Sequence, residues 1–316
     1  MQQPNKNDKS KQSLKIIAIT GAAVLLVRLL MWTDSFHSAL LYIAVPFGIS
    51  LALYYFTPHT EGSTWVRRFW NNMRSTMIIL FASSLILMEG YVCVIMFLPI
   101  YFLFTLLAFI AAYLQHHSNK GSLNAHALPL VVIFLSLEGT TQTTSFDRLN
   151  IVTHTAVVDV DVATVKQRLA EPIQLNGDRH WILTVFPKPK SIGTVPLKQG
   201  AVRKYEFVYH RWFFANTHTG SMDVHFSRIE DNYIQTTITD TSYISTYMKV
   251  HGTEFTFEPI NENQTRITLT VSFDRLLDPM WYFEPLERFA VAKGAAYFID
   301  EVLGADSAKT TGENHV

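Results

Sequence analysis

Residues 277–303 read LDPMWYFEPLERFAVAKGAAYFIDEVL, and their reading decides the fold. Asp278-Pro279 is an extended dipeptide, and helical spacing sets in after it. Pro285 lacks an amide hydrogen, which a helix tolerates in its first turn, so that is where the reading places it. At about 100° per residue, Phe289, Ala292, Ala296, Ile299 and Leu303 fall on one stripe, with Val291, Ala295, Phe298 and Val302 beside it. Lys293, Gly294, Asp300 and Glu301 fall opposite. A broad apolar face containing small alanines predicts a long helix lying across a sheet, closing a domain whose strands come earlier.

The same projection puts Arg288 inside the apolar arc, with Glu284 one turn before it. Two readings stay open. One is an i,i+4 pair at the helix start, worth about 0.3 kcal/mol. The other is a charged pair at the mouth of a cavity, set to meet a polar head group.

Upstream of the helix the chain alternates as strands. Ile151–Val160 reads as the first, and Asp161 then caps a helix from Val162 to about Ala170, ended by Glu171-Pro172. His180–Phe186 reads as a short strand, followed by a Pro-, Lys- and Gly-rich loop to Gly200. Strands follow at Ala201–Phe214, Gly220–Ile229, Asn232–Tyr243, Ser245–Pro259 and Arg266–Phe273. Glu230-Asp231 and Asn261-Glu262-Asn263 are hairpin turn signals among them.

The first half is unlike this. The whole chain of 316 residues has zero net charge and is 16% charged and 48% hydrophobic, but those figures average two dissimilar halves. Residues 1–15 are polar, with Lys6, Lys9, Lys11 and Lys15, and read as a cytoplasmic N-terminus. Residues 16–138 read as a membrane region of four or five helices. Its apolar runs are Ile16–Trp32, Phe36–Phe56 and Thr76–Leu114, and the last is about twice the length of one span. It folds as a hairpin at Met88-Glu89-Gly90. Ala127–Leu137 is a fifth, shorter run that either crosses or lies at the interface. Arg67, Arg68 and Arg74 join the N-terminal lysines on the cytoplasmic side. Five crossings would place the second half on the outer face of a cell membrane. Arg28 and Glu89 are the strong charges near the bilayer core, and each fits near a helix end, so anchoring is favoured over transport.

Residues 139–150, within the polar run EGTTQTTSFDRLN that begins at Glu138, form a linker; residues 151–305 form the second domain, and residues 306–316 a disordered tail. The fold class is therefore an α-helical membrane domain plus an α+β domain.

The order strand, short helix, antiparallel strands, long helix carries a resemblance. Residues 153–165, THTAVVDVDVATV, and the Leu277–Phe283 segment leading into the last helix resemble the START-like superfamily, also called SRPBCC or Bet v 1-like. Its members often bear the label polyketide cyclase/dehydrase. The resemblance covers about half the chain and implies a helix-grip fold, a curved antiparallel sheet around the C-terminal helix with an apolar cavity for lipids, sterols or polyketides. The proline usual after the first strand is replaced here by Val162-Ala163, and the membrane half lies outside the family pattern.

Chemistry beyond this is sparse. No basic excess points to nucleic acid. The lone Cys93 excludes an intrachain disulfide and a cysteine-based zinc site. Of the histidines in the second half (His154, His180, His210, His218, His225, His251 and His315), no pair has zincin spacing, and no metal or cofactor is implied. His210 and Trp212 share one face of a strand; Asp240 and Ser242 are either pocket groups or a strand-end turn. Trp281 and Tyr282 read as an amphipathic plug at a cavity mouth or at a membrane interface.

The reading that follows is a membrane-anchored binding protein for an apolar small molecule, lipid or isoprenoid. His210, Trp212, Asp240, Ser242, Trp281, Tyr282, Glu284 and Arg288 are its candidate ligand-binding residues. The alternatives are an enzyme of cyclase type using His210 or Asp240 as acid/base, and a membrane scaffold without a ligand.

Overall fold

A computed structural model describes residues 37–56, 64–87, 91–117, 124–173, 175, 177–184, 186–190, 194–212 and 215–304. The first expected span, Arg28, Glu89 with the 88–90 turn, and the 306–316 tail lie outside the described residues. The chain divides into two compact units: residues 1–146 with Leu277–Tyr282, and residues 147–276 with 283–316.

The first unit is helical. Its elements are α1 (Val45–Phe56, entered through a π turn at Leu40–Ala44), α2 (Trp65–Leu87), α3 (Tyr91–His117) and α4 (Asn124–Leu135). Among the described residues one helix is long and apolar enough to cross a membrane, Ile95–His116 within α3. The stretch Leu40–Phe56 is apolar but shorter. Helix α2 begins at Trp65, so its first turns carry Arg67, Arg68, Asn71, Asn72 and Arg74 and only its second half is apolar. Buried polar side chains tie the helices together. Asn72 donates to Ser50 Oγ at 2.9 Å, and the Tyr101 hydroxyl donates to Thr76 O at 3.1 Å. Such bonds add directional links to the packing of apolar side chains between the helices.

Leu277–Tyr282 is held in this unit by hydrogen bonds from its main-chain N–H groups. Asp278 N donates to His37 O at 2.8 Å, and Met280 N donates to Glu138 Oε1 at 2.6 Å. Glu138 O in turn accepts from Ala39 N at 3.0 Å.

The second unit is α+β. Its elements are β1 (Leu149–Val158), α5 (Val162–Ala170), α6 (Trp181–Thr184), β2 (Pro189–Lys190), β3 (Val202–Trp212), β4 (Ala215–Ile229), β5 (Tyr233–Asp240), β6 (Met248–Asn261) and β7 (Gln264–Arg275). Helix α7 (Met280–Phe298, extended by a π turn at Ile299–Leu303) begins in the first unit and continues here. The strands form one seven-stranded sheet in the order β1-β7-β6-β5-β4-β3-β2, antiparallel at every junction.

Burial alternates along β1, with Asn150, Val152, Ala156 and Val158 buried and Leu149, Ile151, Thr153 and Thr155 exposed, so one face of the sheet is the inner one. Ala156, Val158, Phe226, Ile234, Phe255, Phe257, Ile267 and Leu269 of that face pack with Val165 and Leu169 of α5 and with Ala295, Ile299 and Leu303 at the end of α7. A second cluster joins Val152, Met248 and Phe273 to Val291 and Ala292. This is the strand-helix-strands-helix arrangement that the resemblance implies.

Local chemistry sets the element ends. Asp161 Oδ1 accepts from Thr164 N at 3.1 Å, the expected N-cap of α5. The end of α7 is closed by Gly304 in the left-handed conformation, at φ +72°, and Arg168 of α5 donates to Leu303 O. Gly252 sits where a Cβ would lie 2.1 Å from Thr236 O, beside a shift in the β6–β7 register between Val250 and Gly252.

Three expectations are corrected. His180–Phe186 is not a strand: it contains the short helix α6, with Leu183 N bonded to His180 O at 2.8 Å. Helix α7 starts five residues before Pro285, so that proline sits inside it. The reason is Glu138, whose carboxylate accepts from Met280 N and anchors the helix start from far away in sequence. The buried stripe also runs through Phe283, Glu287, Ala290, Ala295, Ile299 and Leu303, while Phe289 is 41% exposed.

Candidate functional site

The inner face of the sheet is mostly apolar, and the polar groups upon it are few enough to name. Asn150 and His154 alternate with Val152 and Ala156 on β1. Thr236 and Thr253, on β5 and β6, share a hydroxyl–hydroxyl bond of 2.7 Å, which satisfies both. Arg203 of β3 is 2% exposed, and its Nη2 donates to Ala170 O at 3.1 Å, which places the guanidinium on the side of α5. Tyr205, two residues on, has its phenol pushed up by burial, against the pull of the Arg203 charge and hydrogen bond. Asp240, at the end of β5, follows Ile234, Thr236 and Ile238 at alternate positions.

Three of these side chains keep a buried atom without a hydrogen-bond partner among the described residues: His154 Nε2, Arg203 Nε and Asp240 Oδ2. Buried polar atoms are nearly always paired, because stripping water from one costs about 1–3 kcal/mol when nothing replaces it. An imidazole nitrogen, a guanidinium N–H and a carboxylate oxygen offer both donors and acceptors. Burial lowers the His154 pKa; Asp300 pulls it back up and Lys293 pushes it further down.

The residues named from sequence fall out differently. Asp240 Oδ1 accepts from Ser242 N at 2.7 Å, and Ser242 Oγ accepts from Ile244 N at 3.3 Å, so the strand-end turn exists and still leaves Asp240 Oδ2 over. Arg288 donates to Asn150 Oδ1 on β1 at 3.3 Å; no ion pair joins it to Glu284 among the described residues. Tyr282 donates from its hydroxyl to Met96 O at 2.5 Å, inside the helical unit, and Trp281 is 45% exposed. The backbone of His210 and Trp212 pairs with Thr217 and Ala215 of β4, and their side chains lie outside the described residues.

Sequence reasoning passed over the buried charges Arg203, Arg275 and Glu287, which are 2%, 0% and 2% exposed. Arg203 did carry a signal, since it alternates with Tyr205 and Phe207 on one side of a strand. Among the described residues, no three His, Cys, Asp or Glu side chains gather to hold a metal ion.

The sheet, the closing helix and these inward polar groups define an α+β unit with one polar-dotted apolar face turned inside. No family model matches the chain, and no curated protein matches it in sequence. Solved structures are similar to it in fold over about half of the chain. An aromatase/cyclase from a Streptomyces species is 19% identical, with a TM-score of 0.33, covering 49% of this chain and 92% of its own. A START superfamily protein from Mycobacterium smegmatis is 11% identical, with a TM-score of 0.34, covering 49% and 94%. Truncated norcoclaurine synthase from Thalictrum flavum is 11% identical, with a TM-score of 0.33, covering 50% and 93%.

Proposed function

We propose that this chain is a membrane-anchored binding protein whose α+β unit takes up a hydrophobic molecule, a lipid or isoprenoid, between the sheet and α7. The observation that carries the reading is the set of inward atoms on His154, Arg203 and Asp240 that have no partner among the described residues, dispersed over an apolar face. A ligand with a long apolar part and a small polar head answers both features. Its apolar part gains about 25 cal/mol for each Å² removed from water, and its head meets the orphaned donors and acceptors. Of the residues named from sequence, Asp240 contributes its free oxygen here; Arg288 positions Asn150 on the same face. The anchor is the helical unit, with α3 as a span and the neighbouring apolar helices completing a multi-span region, the N-terminus cytoplasmic and the α+β unit on the outer side.

The test uses the full chain in liposomes containing a lipid with a photoactivatable acyl chain. After irradiation, adducts are mapped by peptide mass spectrometry. Adducts on 203–207, 234–240 and 287–299 are expected, and they should fall in the Arg203→Met/Asp240→Leu double variant. Adducts confined to the 37–137 helices would sink the reading.

A further inference from the structure

The inner face leaves one exposed feature of the α+β unit unexplained. Trp181 opens α6, a single helical turn whose Ile182 is buried, yet Trp181 itself is 65% exposed. The His180 ring lies 5.7 Å from Trp181 and 5.4 Å, edge to face, from Phe289 of α7, which is also exposed. Lys293 stands over the Phe289 ring at 5.5 Å. Three aromatic rings and a cation are thus gathered on one surface, where a soluble domain ordinarily spends polar residues.

The turn is firmly built. Ile182 N donates to His180 Nδ1 at 3.4 Å, Thr184 Oγ1 donates to Trp181 O at 2.6 Å, and Arg179 Nη1 donates to Phe186 O at 2.9 Å. Leu183 lies against α7, 4.0 Å from where a Cβ on Gly294 would stand. The rings are therefore presented on a fixed base. In the flanking sequence Arg179, Lys188, Lys190 and Lys293 outnumber the acidic Asp178 and Glu301, the latter accepting from Gly177 N at 2.8 Å.

We propose that Trp181, His180, Phe289 and Lys293 form a membrane-contact face by which the α+β unit rests on an anionic lipid surface. Tryptophan settles at the boundary of headgroups and acyl chains, where its ring is apolar and its N–H meets water. Lysine and arginine beside it meet lipid phosphates. A bilayer is also a surface at hand for a unit that shares its chain with an apolar helix of spanning length. The inference rests on the membrane-anchoring part of the proposed function and not on what occupies the inner face.

The experiment is site-directed fluorescence on the full chain. The lone cysteine is removed by Cys93→Ser, and Trp181→Cys is labelled with an environment-sensitive dye. Glu262→Cys, in the β6–β7 turn, serves as the control. Each protein is reconstituted in vesicles of phosphatidylcholine with phosphatidylglycerol, or of phosphatidylcholine alone, with and without a spin-labelled lipid quencher. Expected is a blue-shifted emission at position 181 that the spin-labelled lipid quenches. Quenching should be stronger with the anionic lipid, weaker with added salt, and weakened by Lys293→Glu; position 262 should stay unshifted. Retention in membranes washed at alkaline pH checks the anchor separately. A protein that is retained while its label at 181 is quenched only by aqueous iodide overturns the contact face and leaves the anchor standing. A label shielded from both quenchers shows that protein covers the patch, and also overturns it.

Discussion

Truncating Ile299 and Phe289 to alanine tests which side of α7 is the core. A simple helical projection makes them equivalent members of one stripe, whereas in the structure Ile299 is fully buried and Phe289 is 41% exposed. Ile299 packs in the cluster with Phe255, Leu269 and Val165. Ile299→Ala removes three carbons, about 2.4 kcal/mol at about 0.8 kcal/mol each, and the residual cavity raises the loss to about 3–4 kcal/mol. Phe289→Ala deletes a larger side chain that is only partly buried, losing about 1 kcal/mol of burial and about 1 kcal/mol of the His180 edge and Lys293 cation–π contacts, about 2 kcal/mol together. Pulse proteolysis of the full chain in urea, following the fragment that contains the sheet, reads both. With a slope of about 2 kcal/mol per M, the midpoint should fall by about 1.5–2 M for Ile299→Ala and about 1 M for Phe289→Ala. A Phe289→Ala loss equal to or greater than that of Ile299→Ala would refute the observed helix rotation and restore the simple stripe.

Two further outcomes follow from the inner face. His154 has its pKa lowered by burial from the ordinary 6.5, so the unfolded chain binds a proton that the folded one refuses; the stability this residue supports is complete above about 6.5 and is lost as the pH falls towards the depressed value. His154→Leu should therefore flatten the acid side of the stability profile, and an unchanged profile from pH about 7 down to about 5 would show that the imidazole is not held neutral. Gly252→Ala drives a Cβ to 2.1 Å from Thr236 O, a main-chain atom that cannot swing away. The β5–β6 pairing must give, and trypsin resistance of the sheet should collapse; a variant as resistant as the parent would mean that the strands are spaced differently there.

How much of this was legible beforehand depended on whether the controlling contact was local. Strands β1 and β3 to β7 were visible because one-in, one-out alternation is written in consecutive residues, and the Asp161 cap because its partner lies three residues away. The run from His180 to Phe186 is too short for periodicity to separate strand from helix, and its outcome rests on how Leu183 and Ile182 meet α7 and the core. The start of α7 was invisible for another reason. Glu138 satisfies Met280 N from 142 residues away, and no window around Pro285 contains that carboxylate.

The candidate site was the least legible part, because a charge in a sequence reads as a solvent-facing group. Arg203 contradicts that rule. It is buried on the inner face, with Ala170 O holding one nitrogen and another without a partner among the described residues. Asp240 shows the same mixture, one oxygen used to shape the turn into Ser242 and one left over. A fold that only needed these turns and strands would be served at lower cost by apolar or fully paired residues at both positions. On the proposed reading, the bonding capacity left over at these two positions among the described residues meets the ligand's head, so substitutions at Arg203 and Asp240 should alter ligand capture before they alter the fold.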